Sequence, residues 1–487
     1  MIVDRVKQLR REGSLILLHD AGGDRSQTVE ALPQIIDWLE TRGDQIVSLS
    51  QLLEIPRDQL MPLVKPDADP LSMLVTATGF RVWHFIVEFC WAFMIAATGL
   101  IVLRTITVGI LASRHFRAER KIEAAPPFTP PISVIIAAYN EEKVIAATLR
   151  AVTDTSYMGD FEVLVIDDGS KDQTAREVEK AAFINRRIRL VRQPNGGKSE
   201  ALRTGVREGR FDTLVFLDAD THFARETFGE LVKPLRDLKV GAVSGHAKVG
   251  NLRTFIARCQ SLEYICGFNL DRRAYAQWDC ITVVPGAVSA IRRQALEDAG
   301  GFCLDTLAED TDLTLCLHKE GYRVEYAPGA LAWTEAPEGP IELMRQRFRW
   351  AFGTLQCLWK HRDMVFNPQY GALGWFSLPS IWFFQIVLVA LTPAVDGLLV
   401  VSLCLGGWSA MWSYVLIFLL MDLLLAFLAC GLDGEKLSKG WIILPMRIIY
   451  RPLLSWVIWR ALYRAFKGAW VTWGKLERTA SMPVRVG

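Results

Sequence analysis

The chain has 487 residues, with 55 Lys and Arg against 53 Asp and Glu, a formal net charge of +2. That near-neutral balance excludes any global charge argument for nucleic acid as a partner, and the length allows one sizeable domain plus smaller pieces. A hydrophobic fraction of 51%, 16 Trp and a mean hydropathy of +0.20 are rich for a soluble enzyme, so the placement of the apolar residues decides the class.

The start, MIVDRVKQLRREG, is charged and lacks the apolar core of a signal peptide. Residues 82–103 (VWHFIVEFCWAFMIAATGLIVL) are long enough to cross a bilayer, which takes about 20 helical residues. His84 and Glu88 inside this stretch, one turn apart, read as a tolerated polar pair near the membrane surface. Arg104, Arg114, Arg117, Arg120 and Lys121 follow, and such a basic flank marks the cytoplasmic side of a span.

A long polar region, 126–365, opens at the Pro-rich APPFTPP. ISVIIAAYN reads as a buried strand, EEKVIAATLRAV as a helix, FEVLVIDDGS as a strand, TAREVEKAAF as a helix and TLVFLDAD as a strand. Strands with continuous apolar cores alternating with helices predict an α/β fold with a doubly wound parallel sheet. Ligands bind such sheets at the carboxyl ends of the strands, where Asn140, Asp167, Asp168, Asp218 and Asp220 fall. Two further apolar stretches, 375–403 and 409–430, are separated at Gly406-Gly407. A fourth, 441–463, carries Arg447, Arg451 and Arg460, so it reads either as a span whose arginines find partners or as an interfacial helix. The nine cysteines form no C-x-x-C pair and read as buried thiols, not as a disulfide frame or zinc site.

Asp218-Ala219-Asp220 closes an apolar strand, and two carboxylates there can share a hard divalent cation with substrate phosphates. An acidic turn with a helix cap would look the same. Asp167-Asp168-Gly169-Ser170 offers a carboxylate to a base or ribose, and it is equally good turn chemistry. Asn195-Gly196-Gly197-Lys198 is a flexible loop ending in a cation suited to phosphate oxygens, without P-loop spacing. Glu309-Asp310 supplies the carboxylate base that an attacking hydroxyl needs, at a position where a helix N-terminus also favours acids. Gln346-Arg347-Phe348-Arg349-Trp350 brings guanidinium and indole groups, suited to diphosphate and a sugar ring, or to a membrane interface.

In order, IIAAYNEE, VIDDGS, NGGKSEAL, FLDAD, LAED and QRFRW resemble the processive family-two glycosyltransferases, among them cellulose, hyaluronan, chitin and poly-N-acetylglucosamine synthases. RWAFGTLQCLWKH and the tail W-G-K-L-E-R are most similar to the poly-N-acetylglucosamine branch. The resemblance implies a GT-A type Rossmann-like domain inserted between transmembrane helices, and inverting transfer from a UDP-sugar. It implies that Tyr139, Glu141 and Asp168 contact the nucleoside, with Lys198 near the diphosphate. Asp218 and Asp220 would hold Mg²⁺ or Mn²⁺ with the UDP, and Asp310 would be the catalytic base. Glu309, Gln346, Arg349 and Trp350 would shape the acceptor and diphosphate site. The usual Thr-Glu-Asp reads Ala308-Glu309-Asp310 here, which removes a hydroxyl and keeps the carboxylates.

Residues 1–65 resemble the C-terminal end of a NodB-like polysaccharide deacetylase domain: a strand LILLHD with His19, then a helix begun by Arg25 and Thr28. The metal-binding motifs that precede these elements in that family are not in this chain, so the remnant implies no deacetylase activity. It does imply an N-acetylated polymer. The expected partners are a UDP-sugar donor, a polysaccharide acceptor, the lipid bilayer and accessory export or deacetylase subunits, with no nucleic acid. The expected location is the inner membrane, multi-pass, with the catalytic domain cytoplasmic. Two other readings stay open: a single-addition transferase on a lipid-linked acceptor, and a non-catalytic scaffold that binds nucleotide sugar or polymer.

Overall fold

The computed structural model describes residues 2–9, 15–18, 26–61, 70–122, 128–404 and 408–468. The chain divides into two compact units, Met1–Phe93 and Met94–Gly487. In the first, α1 (Ile2–Leu9) and α2 (Ser26–Thr41) meet on a small core of Ala31, Ile35 and Leu39 with Val3, Val6 and Trp38. Short helices α3 (Leu49–Leu52) and α4 (Arg57–Leu60) follow. Thr28 lies in α2; His19 and Arg25 lie outside the described residues. The expected strand LILLHD does not form over its described part, residues 15–18, where Leu15 and Leu17 are exposed. A strand needs a neighbour to take its N–H and C=O groups.

Helix α5 (Pro70–Ile122) contains the first apolar stretch and runs well past it at both ends. The sheet of the second unit is built from β1 (Ile132–Ala138), β2 (Phe161–Asp167), β3 (Ile188–Arg192), β4 (Thr213–Asp218), β5 (Thr221–Phe223), β6 (Val240–Val249), β7 (Val288–Arg292) and β8 (Arg323–Thr334), in the order β3-β2-β1-β4-β7-β6-β8-β5. Helices α6 (Ile145–Thr153), α7 (Thr174–Ile184), α8 (Lys198–Glu208) and α9 (Thr227–Val232) connect its first six strands. Helix α6 starts later than expected, because Glu141–Val144 forms a turn.

The sheet is mixed, which corrects the expectation of an all-parallel one. Strands β1 to β4 are parallel, whereas β7 runs antiparallel to both β4 and β6, and β5 runs antiparallel to β8. The chain between β6 and β7 is a helical excursion: α10 (Phe255–Tyr264), a π-helical turn Ile265–Asp271 and α11 (Arg272–Gln277). It leaves and re-enters the sheet at one end, which makes β7 antiparallel. A strand buried on both faces reads the same in either direction, so composition alone did not separate the two halves.

Alternation along the strands produces two cores. Ile132, Val134 and Ile136 of β1 enter one with Val163, Val165, Val215 and Leu217. Ile135 enters the other with Leu164, Ile166, Leu214 and Phe216. That second core runs on through α12 (Arg293–Asp298), α13 (Glu309–Lys319) and α14 (Pro340–Lys360). It then continues into the apolar helices: Val108 and Leu111 of α5, Ala426 and Ala429, Tyr450 and Ile458 all belong to it.

Beyond α14, residues 373–404 form one helical run, with π-helical turns before and after α15 (Leu378–Ser380), ending in α16 (Leu388–Cys404). Helices α17 (Trp408–Leu432) and α18 (Ile443–Phe466) follow. Among the described residues, four helical segments are long and apolar enough to cross a membrane: Thr78–Glu119, Leu373–Gly397, Val415–Leu432 and Leu437–Phe466. The arginines of the last find partners: Arg451 and Arg447 lie 2.8 and 3.2 Å from Asp422 of α17, and Arg460 covers the ring of Phe348. Pairing of this kind lowers the cost of holding a charge at membrane depth.

Candidate functional site

A cavity of about 490 Å³ opens where β1, β2 and β4 end. Tyr139, Glu141, Asp168, Lys198, Asp218, Asp220, Glu309, Asp310, Gln346, Arg349 and Trp350 all line it. The fold brings these sequence-predicted site residues to one cavity, while Asn140, Asp167 and Arg347, also noted in the sequence, do not line it.

One side is made of strand-end turns bonded to each other. After β1, Asn140 adopts φ +53°; its backbone N–H donates to Ser170 Oγ at 2.9 Å, and its Oδ1 accepts from the Lys171 N–H at 2.8 Å. The Glu141 N–H donates to Thr174 Oγ1 at 2.7 Å. Asp168 is buried: its Oδ1 accepts from Gln193 Nε2 at 2.7 Å and the Gly196 N–H at 2.9 Å, and its Oδ2 accepts from the Gly197 N–H at 2.8 Å. The Asn195–Gly197 loop is therefore pinned by a carboxylate that also faces the cavity. Gly169, at φ +74°, permits this approach, since a Cβ there would sit 2.9 Å from the Asn195 nitrogen.

The pinned loop starts α8 with Lys198, whose Nζ lies 2.7 Å from Asp218 Oδ1 and 3.9 Å from Glu309 Oε1. Thr148 of α6 donates to the carbonyl of Ala219 at 2.7 Å, holding the Asp218–Asp220 turn from below. Two carboxylates on this turn offer only hard oxygen donors, a set that fits Mg²⁺ or Mn²⁺ and disfavours soft metals. Lys198 is held well above its usual range: burial lowers it, but Asp218 and Glu309 outweigh that.

Glu309 and Asp310 open α13. Burial pushes the Glu309 carboxyl up to about 7, with Lys198 pulling against it and Asp310 adding to it. Burial also raises Asp310, again against Lys198, and Asp310 Oδ1 accepts from the Thr311 N–H at 2.7 Å. Two residues on, Asp312 is fully buried, with its oxygens 2.7 Å from His361 Nε2 and 3.0 Å from Lys360 Nζ, both at the end of α14. Leu307 N–H donates to Gln356 Oε1 of α14 at 3.0 Å. Helix α14 thus braces the acidic loop as well as carrying Gln346, Arg349 and Trp350. Asp312, Cys316 and His361 also bring ligand-type atoms within 4.8 Å of one another, a convergence invisible in the cysteine spacing. The Lys360 ammonium already supplies a cation there.

The opposite wall, which carries Trp350, also holds Tyr264, Phe268 and Arg272, which the sequence reading missed. Tyr264, Phe268 and Trp350 form an aromatic group, with centroids 4.4 Å apart for Tyr264–Phe268 and 6.2 Å for Phe268–Trp350. The π-helical turn Ile265–Asp271 lies between α10 and α11 and aims Phe268 inward; such turns recur at functional sites. Arg272 lines the cavity beneath Phe268, its guanidinium 4.5 Å from the ring, and burial lowers it to about 10. Arg347 sits behind Trp350 with its guanidinium 4.1 Å from the indole centroid. Glu263 Oε2 accepts from Arg347 Nη2 and from the Tyr450 hydroxyl of α18, both at 2.6 Å. Gln346 Oε1 is buried with no hydrogen-bond partner among the described residues. An aromatic pair four residues apart, Tyr264 and Phe268, was the available signal, but in an apolar helix it reads as core.

Residues 130–353 match the family described as Glycosyltransferase like family 2. The probable glycosyltransferase YdaM of Bacillus subtilis (strain 168) is 30% identical over 370 residues, 72% of this chain and 87% of its own length. A poly-beta-1,6-N-acetyl-D-glucosamine synthase of Staphylococcus aureus (strain COL) is 30% identical over 258 residues, 51% of this chain; the match spans 62% of that synthase. Among solved structures, mannosyltransferase PcManGT from Pyrobaculum calidifontis, in complex with GDP-Man and Mn²⁺, has a TM-score of 0.53 at 22% identity. It covers 77% of this chain and 99% of its own, a likeness of fold.

Proposed function

Since the chain belongs to glycosyltransferase family 2 and is a glycosyltransferase of GT-A type fold with a mixed sheet, we propose that it works at a membrane. There it would transfer N-acetylglucosamine from its UDP derivative, with inversion, to a growing β-linked polysaccharide. The observation that carries this reading is the single cavity that joins Asp218 and Asp220 to Asp310 and to Gln346, Arg349 and Trp350. One open cavity would thus serve both donor and acceptor.

In this reading Tyr139, Glu141 and Asp168 border the nucleoside, and Lys198 meets the diphosphate. Asp218 and Asp220 would hold Mg²⁺ or Mn²⁺, which would supply Lewis-acid neutralisation of the diphosphate charge. Asp310 takes the proton from the acceptor hydroxyl as its oxygen attacks the anomeric carbon and UDP departs from the opposite face. Burial keeps Asp310 basic enough for that task. Trp350, flanked by Tyr264 and Phe268, offers ring faces to the acceptor sugar. The buried, unbonded Gln346 Oε1 supports a role accepting from a sugar hydroxyl, and Arg349 would serve the diphosphate side.

The N-acetylglucosamine assignment is supported by the staphylococcal relative's name and by the deacetylase-like reading of residues 1–65. Four candidate membrane helices support a multi-pass protein, and the basic flank after residue 103 supports a cytoplasmic catalytic domain. The test is a donor screen on membranes carrying the chain, with UDP-sugars and GDP-mannose, reading nucleotide release and product length. Long polymer from UDP-N-acetylglucosamine with Mg²⁺ or Mn²⁺ is the expected result. Products of one added sugar would replace processive synthesis with single addition, and no metal-dependent nucleotide release from any donor would sink the catalytic reading.

A further inference from the structure

Away from the catalytic cavity, a second one of about 440 Å³ lies between α5 and α17. Its walls are apolar, with Ile106 and Ile110 from α5 and Leu424 and Leu428 from α17. Gly109 keeps its floor open, since a Cβ there would come within 3.2 Å of Leu428 Cδ2. At one end the lining changes to Arg114 and Arg117, three residues apart and both exposed. Residues at that spacing share a helix face.

The state of these two arginines is the telling feature. Arg104, on the same helix, is bound to Asp271 at 2.9 Å, and Arg447 and Arg451 of α18 are bound to Asp422. Arg114 and Arg117 have no carboxylate, hydrogen-bond or ring partner among the described residues. They also lie at a definable depth. Asp433, directly after α17, binds Lys248 Nζ of β6 at 3.0 Å, so this end of α17 meets the catalytic sheet. Leu428 packs beside Gly109, and five residues further along each helix stand Asp433 and Arg114, about 7 Å on at the helical rise. The groove therefore faces the leaflet nearer the catalytic domain, with the arginines at its polar boundary.

We propose that this groove binds one anionic phospholipid, an acyl chain against Ile106, Ile110, Leu424 and Leu428 and the headgroup phosphate against Arg114 and Arg117. Charge complementarity selects the occupant. Two unpaired guanidinium groups favour a lipid with net negative charge over a zwitterionic one, whose own ammonium would face them. The inference is independent of which sugar the enzyme transfers.

The test is native mass spectrometry on the full chain, purified in mild detergent and incubated with equal phosphatidylglycerol and phosphatidylcholine. Wild type is expected to retain one phosphatidylglycerol in preference to phosphatidylcholine. Arg114→Gln with Arg117→Gln, at exposed positions, should reduce that retention by about thirtyfold. Gly109→Leu should displace the lipid by filling the groove while leaving both arginines in place. Equal retention of the two lipids by wild type, or unchanged retention in the double variant, would overturn the proposal. So would a wild-type dimer that loses no lipid on separating, since a second copy would then be the occupant.

Discussion

The two walls of the catalytic cavity are held in different ways. On the side proposed for the nucleotide, residues sit at strand ends or in the turns after them, and several are fixed by bonds to partners about thirty positions away: Asn140 to Ser170, Glu141 to Thr174, Asp168 to Gly197. On the side proposed for the acceptor, Trp350 is backed by Arg347, which depends on Glu263 and on Tyr450, 84 and 103 positions away. The first wall is a property of adjacent βα units. The second exists only once α10, α14 and α18 have packed together, so it ties the apolar helices to the cavity-lining indole of Trp350.

That contrast can be broken or sharpened by substitution. The largest effect is expected where the walls meet: Asp310→Asn should cut transfer by about a thousandfold, the scale of a general base, with UDP binding by calorimetry retained. Full turnover in that variant would move the base elsewhere. Next, Asp218→Asn or Asp220→Asn should cost at least about a hundredfold and weaken the response of turnover to added Mn²⁺. Removing metal with chelator should produce a similar loss in wild type and little further loss in these variants.

A smaller effect of a different kind is expected on the acceptor wall. Glu263→Gln leaves the buried Arg347 without its counter-charge, which should cost about 3 kcal/mol of stability and at least about tenfold in kcat. The KM for donor should stay near the wild-type value, and Tyr450→Phe should show the same pattern more mildly. A rise in donor KM instead would mean that the two walls are not separable. Conversely, Asp168→Ala frees the Asn195–Gly197 loop and should raise donor KM by about tenfold, with kcat changed less.

A last effect, on stability and not on turnover, concerns pH. The Glu309 carboxyl, pushed up to about 7 by burial from an ordinary 4.5, stabilises the fold fully below that ordinary value. The contribution is lost as pH rises through the folded value, because the unfolded chain releases the proton more readily. Without metal or nucleotide, the Tm of wild type relative to Glu309→Gln should therefore fall between pH 4.5 and pH 7. A shift of that size corresponds to about 3 kcal/mol at most. A flat difference would show that the carboxyl titrates normally.

The βα order, the membrane-length helices and the strand-end and Q-x-x-R-W residues of the cavity were legible in the amino-acid order, because strand-end motifs and long apolar runs are local features, whereas Tyr264, Phe268 and Arg272 were not. The parallel half of the sheet, with its D-D-G-S and D-A-D turns, followed from continuous apolar strands. The antiparallel insertion of β7 did not, since a doubly buried strand carries no mark of direction. The strand expected near residue 15 did not form over its described residues, 15–18, despite an apolar composition. The partners of Arg347, Asp312 and Arg451 depend on helices distant in the chain coming into contact, and only burial makes those charges need one another. What the amino-acid sequence by itself determined is which strand-end and helix-borne groups gather at one cavity. The tertiary structure decided what holds them in place, because ion pairs and aromatic stacks between distant segments depend on packing and leave no periodic trace in the sequence.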